Sequence, residues 1–202
     1  MRQTRLGPDG LHRCAWAEAS DGERHYHDTE WGRPVGDDRT LFEKICLEGF
    51  QSGLSWRTVL DKRANFRAAF ANFEIDHVAA FGPGDVTRLM NDAGIIRHRG
   101  KIEATLNNAR RAQDLIRDEG SLAAYIWRYE PDPADLPPPQ SVSTSATATA
   151  LAKDLKKRGW KFFGPTTAHA FLQAMGLIND HAEGCALRAA ATRARAAFIP
   201  PR

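Results

Sequence analysis

The sequence predicts an all-α fold on three observations. From Thr40 onward apolar residues recur at helical spacing, no stretch alternates convincingly with period two, and Ser, Thr, Gly and Pro stand where helices would begin and end. The segment TLFEKICLEGF opens a helix with a capping box, Thr40 answered by Glu43. WRTVLDKRANFRAAF from Trp56, IDHVAAF from Ile75 and DVTRLMND from Asp85 follow as helices, the last ending at Gly94. KIEATLNNARRAQDLIRDEG, closed by Gly120, is the longest, and SLAAYIWRYE comes next. Residues 130–143 hold five of the eleven prolines and form a loop. STSATATALAKDLKKRG restarts a helix behind Ser/Thr caps, PTTAHAFLQAMG carries Pro165 in its first turn, and DHAEGCALRAAATRARAA reads as helical. Residues 12–187 form the expected single unit, with 1–11 and 188–202 as tails.

At 202 residues and 42% hydrophobic content the chain can bury a core, which excludes a disordered tail. No run approaches the roughly 18 apolar residues of a membrane span, and MRQTRLGPDG lacks the apolar segment of a signal peptide. A cytoplasmic protein without membrane contact is expected. The net charge of +3 permits an anionic partner without requiring one. Basic residues gather in IIRHRGK, in Lys153, Lys156, Lys157 and Arg158, and in Arg188, Arg193, Arg195 and Arg202, where solvated helix faces are the plain alternative.

Three cysteines in a reducing compartment argue for buried thiols or metal ligands rather than disulfides. His181 and Cys185 stand four apart, so a helix would put both on one face. Cys14 and His27 offer a second thiolate and imidazole, and the four together would make a closed, structural Cys2His2 set. Such a site would pin the chain ends with binding on the order of 10 kcal/mol. Coincidental spacing is the alternative. Cys46, with Leu41, Phe42 and Ile45, reads as a core thiol.

Gly94 and Gly100 frame a short turn before the longest helix, freeing backbone amides beside a helix N-terminus. Arg97, His98, Arg99 and Lys101 add charge that suits a nucleic-acid backbone. A plain αα-hairpin with a solvated basic turn fits the same residues.

On a helical wheel Glu48 falls about 20° from Leu41 and 60° from Ile45, at the margin of the apolar arc. A carboxylate there must find donors or a cation, or accept a raised pKa. Gly49 and Gly53 remove bulk nearby, and Trp56 and Tyr26 offer aromatic faces, which together describe a pocket for a planar cationic group such as a modified nucleobase. A Glu48 bonded to a helix terminus or an arginine is the alternative.

In this order, RCAW, YHDTEWG, LFEKICLEGFQSGLSW, DAGIIRHRGKI, LKKRGWKFFG and LINDHAEGC resemble the 3-methyladenine DNA glycosylase I family, over about Arg13 to Cys185. The resemblance implies a helix-hairpin-helix DNA glycosylase fold, with the hairpin at 94–101 inside a helical lobe of about 55–130. It implies structural Zn2+ on Cys14, His27, His181 and Cys185, in a lobe built from about 12–38 and 165–187. It also implies that Glu48 accepts hydrogen bonds from the flipped base, that Tyr26 and Trp56 pack on its ring, and that Trp31 supports the wall. The segment SDGERH before YHD departs from the family's pattern, leaving lesion range open.

The implied activity is hydrolysis of the N-glycosidic bond of 3-methyladenine in alkylated double-stranded DNA, by a monomer. Flipping exposes that bond at least cost where the base is damaged. The methylated base is cationic and leaves as a neutral group, so recognition by one carboxylate can suffice. The aspartate that assists many helix-hairpin-helix relatives has no counterpart, since Asp114 and Asp118 lie too far along their helix, and no lysine nucleophile is evident. A monofunctional enzyme is therefore expected. Leu54, beside Gly53, is a candidate wedge into the duplex, with a core role as the alternative. A zinc-braced DNA-binding module without catalysis would share the hairpin but have no need of the Glu48 pocket. A metal-dependent hydrolase is disfavoured because four protein ligands would fill the zinc.

Overall fold

The computed structural model describes residues 3–202; Met1 and Arg2, part of the expected N-terminal tail, lie outside the described residues. Eleven α-helices dominate the described chain: α1 (Asp21–Thr29), α2 (Asp38–Gln51), α3 (Trp56–Leu60), α4 (Arg63–Ala69), α5 (Ile75–Ala79), α6 (Pro83–Asn91), α7 (Arg99–Glu119), α8 (Leu122–Trp127), α9 (Ala146–Lys157), α10 (Pro165–Ala174) and α11 (Arg188–Ala197). Two short strands, β1 (Thr4–Leu6) and β2 (His12–Cys14), pair antiparallel with Thr4 opposite Cys14. No described helix is long and apolar enough to cross a membrane.

Helix α2 is the axis of the fold. All ten residues from Leu41 to Phe50 are buried, so it is covered on every side, with α3, α7, α8 and α10 packed around it. Phe50, Phe66, Phe70 and Phe73 form a chain of ring contacts beside it, with centroid spacings from 4.6 to 6.2 Å. Helix α7 buries Ile102, Leu106, Ala109 and Leu115 and stops at Gly120, whose φ of +89° is left-handed. Ser145 caps α9 and Pro165 opens α10, as the sequence predicts.

Several sequence expectations are corrected. The cap of α2 is Asp37, whose carboxylate accepts from Thr40 N at 2.8 Å, so the helix starts before the Thr40 box. The helix expected from Trp56 to Phe70 divides into α3 and α4 at Asp61 and Lys62. Residues 179–187 are turns, with Gly184 at φ +81°, and α11 begins only at Arg188.

Neither end behaves as a tail. β1 pairs with β2, and Ala186 N donates to His12 O at 2.8 Å, joining the ends of the chain. Arg195 pairs with Glu130, and Phe198 packs on Trp127 at 4.7 Å. These contacts are tertiary and leave no local signature. The proline-rich loop is anchored where Gln140 N donates to Asp180 Oδ1 at 2.9 Å.

Gly176 (φ +78°) passes so close to Arg33 and Pro34 that a Cβ would meet backbone atoms at 2.5–2.7 Å. At Gly120 a Cβ would meet nothing within 4 Å. Gly120→Ala should therefore cost about 1–2 kcal/mol of left-handed strain, whereas Gly176→Ala should cost clearly more; equal denaturation midpoints for the two variants would contradict this packing.

Candidate functional site

Two neighbouring clusters and one surface turn gather most of the residues singled out from the sequence. The first is a cavity of about 290 Å3 whose walls include Trp16, Tyr26, Trp31, Lys44, Glu48 and Trp56, with Gln140, Gln173 and Asp180 also lining it. Helix α2 supplies Lys44 and Glu48 one turn apart, α1 supplies Tyr26, and Trp56 opens α3. Tyr26, Trp31, Lys44 and Glu48 are buried, and Trp56 is half-buried with its indole Nε1 unpartnered.

Glu48 has found a cation. Lys44 Nζ lies 2.8 Å from Glu48 Oε1, donates to Tyr26 Oη at 2.7 Å, and sits 3.4 Å from the centroid of the Trp56 ring and 4.9 Å from that of Tyr26. The two rings are 5.1 Å apart and tilted by 45°. Burial lowers the Lys44 pKa, and the Glu48 charge opposes that shift. Burial, reinforced by Glu48, raises the Tyr26 hydroxyl well above its usual value. Asp180 is raised by burial against hydrogen bonds from Gln140 and Gln173.

The glycines beyond Glu48 do not shape this cavity. A Cβ on Gly49 would meet Phe162 O at 3.3 Å, so that glycine serves helix packing, and Gly53 (φ +80°) makes an open turn. The space is made by separate elements meeting.

The second cluster brings Cys14, His27 and Cys185 together, their ligand atoms all within 4.8 Å of one another. His27 Nε2 is 3.6 Å from Cys185 Sγ, and the His181 ring centroid is 5.0 Å from that of His27. Asp28 Oδ1 holds His27 Nδ1 at 2.8 Å and Asn179 Oδ1 holds His181 Nδ1 at 2.9 Å, leaving each Nε2 for another partner. The Cys14 thiol hydrogen-bonds Cys185, which with His27 pulls the Cys185 thiol down while Cys14 is pushed up. Burial, with the His27 charge, lowers His181 to about 4. A thiolate and a neutral imidazole are the forms that bind metals. The turn at 181–185, rather than a helix, presents these residues, held where Ala182 N donates to Cys14 Sγ at 3.3 Å. Trp31 joins the clusters, stacking on His27 at 5.9 Å and meeting His181 edge-on at 4.7 Å.

The surface turn links α6 to α7. Asp92 Oδ1 accepts from Gly94 N at 2.8 Å, Asn65 Nδ2 donates to Gly94 O, and the His98 ring caps α7 by accepting from Lys101 N at 3.2 Å. Arg97, His98 and Arg99 are exposed. The expectation for Lys101 is corrected: it is buried, and its ammonium donates to Phe50 O at 2.8 Å and Ser52 O at 2.6 Å. That bond fastens α7 to the last turn of α2, beside Gly53 and the exposed Leu54. Phe162, exposed and in T-contact with His98 at 6.0 Å, escaped the sequence reading, as did Lys44, Trp16, Gln140 and Asp180. Of these only Lys44 had a local signal, its i, i+4 spacing to Glu48.

A family model for methyladenine glycosylases matches residues 16–189. DNA-3-methyladenine glycosylase 1 of Escherichia coli (strain K12) is 46% identical over 87% of this chain and 96% of its own. A solved structure of 3-methyladenine DNA glycosylase I from Staphylococcus aureus, described as showing the structural basis of 3-methyladenine recognition, superposes with a TM-score of 0.82 at 37% identity, covering 87% of this chain and 96% of that one. A tyrosine-to-phenylalanine variant of 3-methyladenine DNA glycosylase I in complex with 3-methyladenine superposes with a TM-score of 0.81 at 36% identity, covering 87% and 97%.

Lys101→Met removes the donor to two carbonyls and should lower stability by about 1–3 kcal/mol, whereas Arg97→Ala should stay within about 0.5 kcal/mol; urea midpoints of the two variants check the assignment.

Proposed function

The chain belongs to the methyladenine glycosylase family, and from that premise we propose that it excises 3-methyladenine from alkylated double-stranded DNA by hydrolysing the N-glycosidic bond. The observation that carries this reading is the buried Glu48 in an aromatic-walled cavity of about 290 Å3, close to the roughly 300 Å3 at which small-ligand pockets begin. Relatives carrying the name DNA-3-methyladenine glycosylase, and a neighbour in complex with 3-methyladenine, support the substrate.

In this reading the flipped base enters between Tyr26, Trp56 and the Trp31 wall, and Glu48 accepts hydrogen bonds from its edge. Positive charge on the methylated purine adds Coulombic attraction that adenine lacks, and the base departs neutral, so no strong general acid is needed. The segment from α6 to α7 serves as the helix-hairpin-helix element: Gly94 and Gly100 shape it, while Arg97, His98, Arg99 and the N-terminus of α7 meet phosphates without reading sequence. Gly53 and Leu54 reach the duplex beside it, with Leu54 filling the gap left by the extruded base. Lys101 contributes by fixing these two elements to each other. Residues 12–187 are taken as the catalytic unit, with β1 and α11 as packed extensions.

Cys14, His27, Cys185 and, through its remaining Nε2, His181 would hold a structural zinc. The donor chemistry fits, with Asp28 and Asn179 orienting the two imidazoles. Such an ion would brace β2, α1 and the 179–187 turns, and with them the wall at Trp31. No lysine is assigned a nucleophilic role at the sugar, so the reaction is taken as monofunctional.

Incubation with methylated duplex DNA should release 3-methyladenine and leave abasic sites without strand breaks. Glu48→Gln should stay folded and lose roughly 10²-fold or more in the single-turnover rate, as expected when a charge-assisted contact of 1.5–3 kcal/mol and its Coulombic attraction go; wild-type release from that variant would sink the role given to Glu48. Metal analysis of purified protein should find about one zinc per chain, and chelation should raise hydrogen exchange at both chain ends before α7. Metal-free protein with protected ends would refute the zinc site.

A further inference from the structure

Lys44 is the cation in the cavity, and the glycosylase reading gives it no contact with the base. Its ammonium makes three contacts: an ion pair to Glu48 at 2.8 Å, a hydrogen bond to Tyr26 at 2.7 Å, and a cation–π contact 3.4 Å from the Trp56 centroid. The Glu48 acceptor and the Trp56 and Tyr26 rings are the groups assigned above to a cationic purine. We propose that Lys44 is a specificity-determining residue that limits the preference Glu48 gives to cations: its ammonium stands in for the cationic base, so that a cationic lesion binds as Lys44 gives up its proton to solvent. The inference rests on the base-pocket reading of Glu48.

Two cations cannot share one buried carboxylate cheaply, because like charges a few ångströms apart repel by several kcal/mol even at an effective dielectric constant of about 20. A neutral base meets no such competition. The balance is simple: the bound ammonium becomes an amine, one proton leaves, and the pocket's net charge with cationic ligand matches that of the empty pocket. The groups that set this equilibrium are Glu48 on α2, Tyr26 on α1, Glu30 just beyond α1, Arg63 on α4 and Asp180 across the cavity, while Gln173 on α10 and Trp56 on α3 carry no charge. Burial already works against the ammonium, which brings its deprotonation below the ordinary lysine value of 10.5. The sign follows: as pH rises toward 10.5 the competing charge is lost and affinity for a cationic base increases.

The test uses 3,9-dimethyladeninium, a fixed planar cation without a glycosidic bond, and 9-methyladenine as its neutral counterpart, titrated against the full chain by tryptophan fluorescence and calorimetry. For wild type, the dissociation constant of the cation should fall by up to about tenfold per pH unit while the lysine titrates, with up to about one proton released on binding. The neutral base should show neither effect. Lys44→Gln, which can still donate to Glu48 and Tyr26, should bind the cation about tenfold tighter near neutrality and without pH dependence. Lys44→Arg, which keeps its charge, should bind it weakly at every pH. Thermal melts establish that each variant is folded, and if Lys44→Gln is not, the arginine variant alone decides by losing or keeping the alkaline rise. A pH-independent wild type, a probe that binds no variant, or a folded Lys44→Gln with affinity no better than wild type overturns the proposal. Base release from methylated duplex is measured alongside. Its absence beside pH-dependent probe binding counts against the function and leaves the role of Lys44 standing.

Discussion

The fold depends on the satisfaction of charges buried along α2. A helix covered from Leu41 to Phe50 would ordinarily be apolar throughout, yet this one carries Glu43, Lys44 and Glu48. Each needs a partner brought from elsewhere or from its own next turn. Glu43 takes Arg63 at 2.7 Å and Arg67 at 2.9 Å, which sets α4 against α2. Lys44 and Glu48 take each other, and Tyr26 brings α1 onto the same pair. A misplaced α4 would strand the Glu43 charge in the core, a penalty of several kcal/mol per ion, and a misplaced α1 would take the Tyr26 hydroxyl from Lys44. The arrangement therefore fixes helix positions and leaves a charged pair in the wall of an aromatic-lined cavity.

The cavity wall and the metal-ready cluster are one mechanical unit. His27 follows Tyr26 on α1, and the Trp31 ring, which faces the cavity, packs on both His27 and His181. Holding the two imidazoles consequently holds the wall. Asp28 serves both sides of this junction, since it orients His27 and also accepts from the buried Arg13 of β2. Chain ends that bury little by themselves are placed by contacts with this cluster.

At the C-terminal end of α2, Lys101 couples the surface turn to the Ser52–Leu54 segment. A lysine that reads in sequence as another positive charge in a basic turn is a buried clamp, and the exposed charge beside it belongs to Arg97 and Arg99. Phe162, with a left-handed φ of +55° and its carbonyl lodged against Gly49, brings an exposed ring to the same surface. The aromatic cavity and the turn between α6 and α7 thus share α2 as a common support, a helix packed on every side.

What the sequence determined by itself is whatever depends on neighbours within a turn or two. Helical periodicity, the stop at Gly120, the cap at Ser145, Pro165 in the first turn of α10, the proline-rich loop and the anomaly of Glu48 in an apolar arc were all legible, because each follows from local backbone preference or from burial on a helix face. Spacing suggested Cys14, His27, His181 and Cys185 as one set and family motifs strengthened it; the structure brings the ligand atoms of Cys14, His27 and Cys185 within 4.8 Å of one another, with the His181 ring beside them. Only the tertiary structure decided which partner each polar group found. It paired Glu48 with Lys44, turned Lys101 inward, and ordered both chain ends through β1 and α11. It presented His181 and Cys185 from turns in place of a helix, and it assembled the cavity from Trp16, Gln140 and Asp180. Side-chain partnership in a core is set by distances between elements remote in sequence, and those distances exist only once the helices have packed.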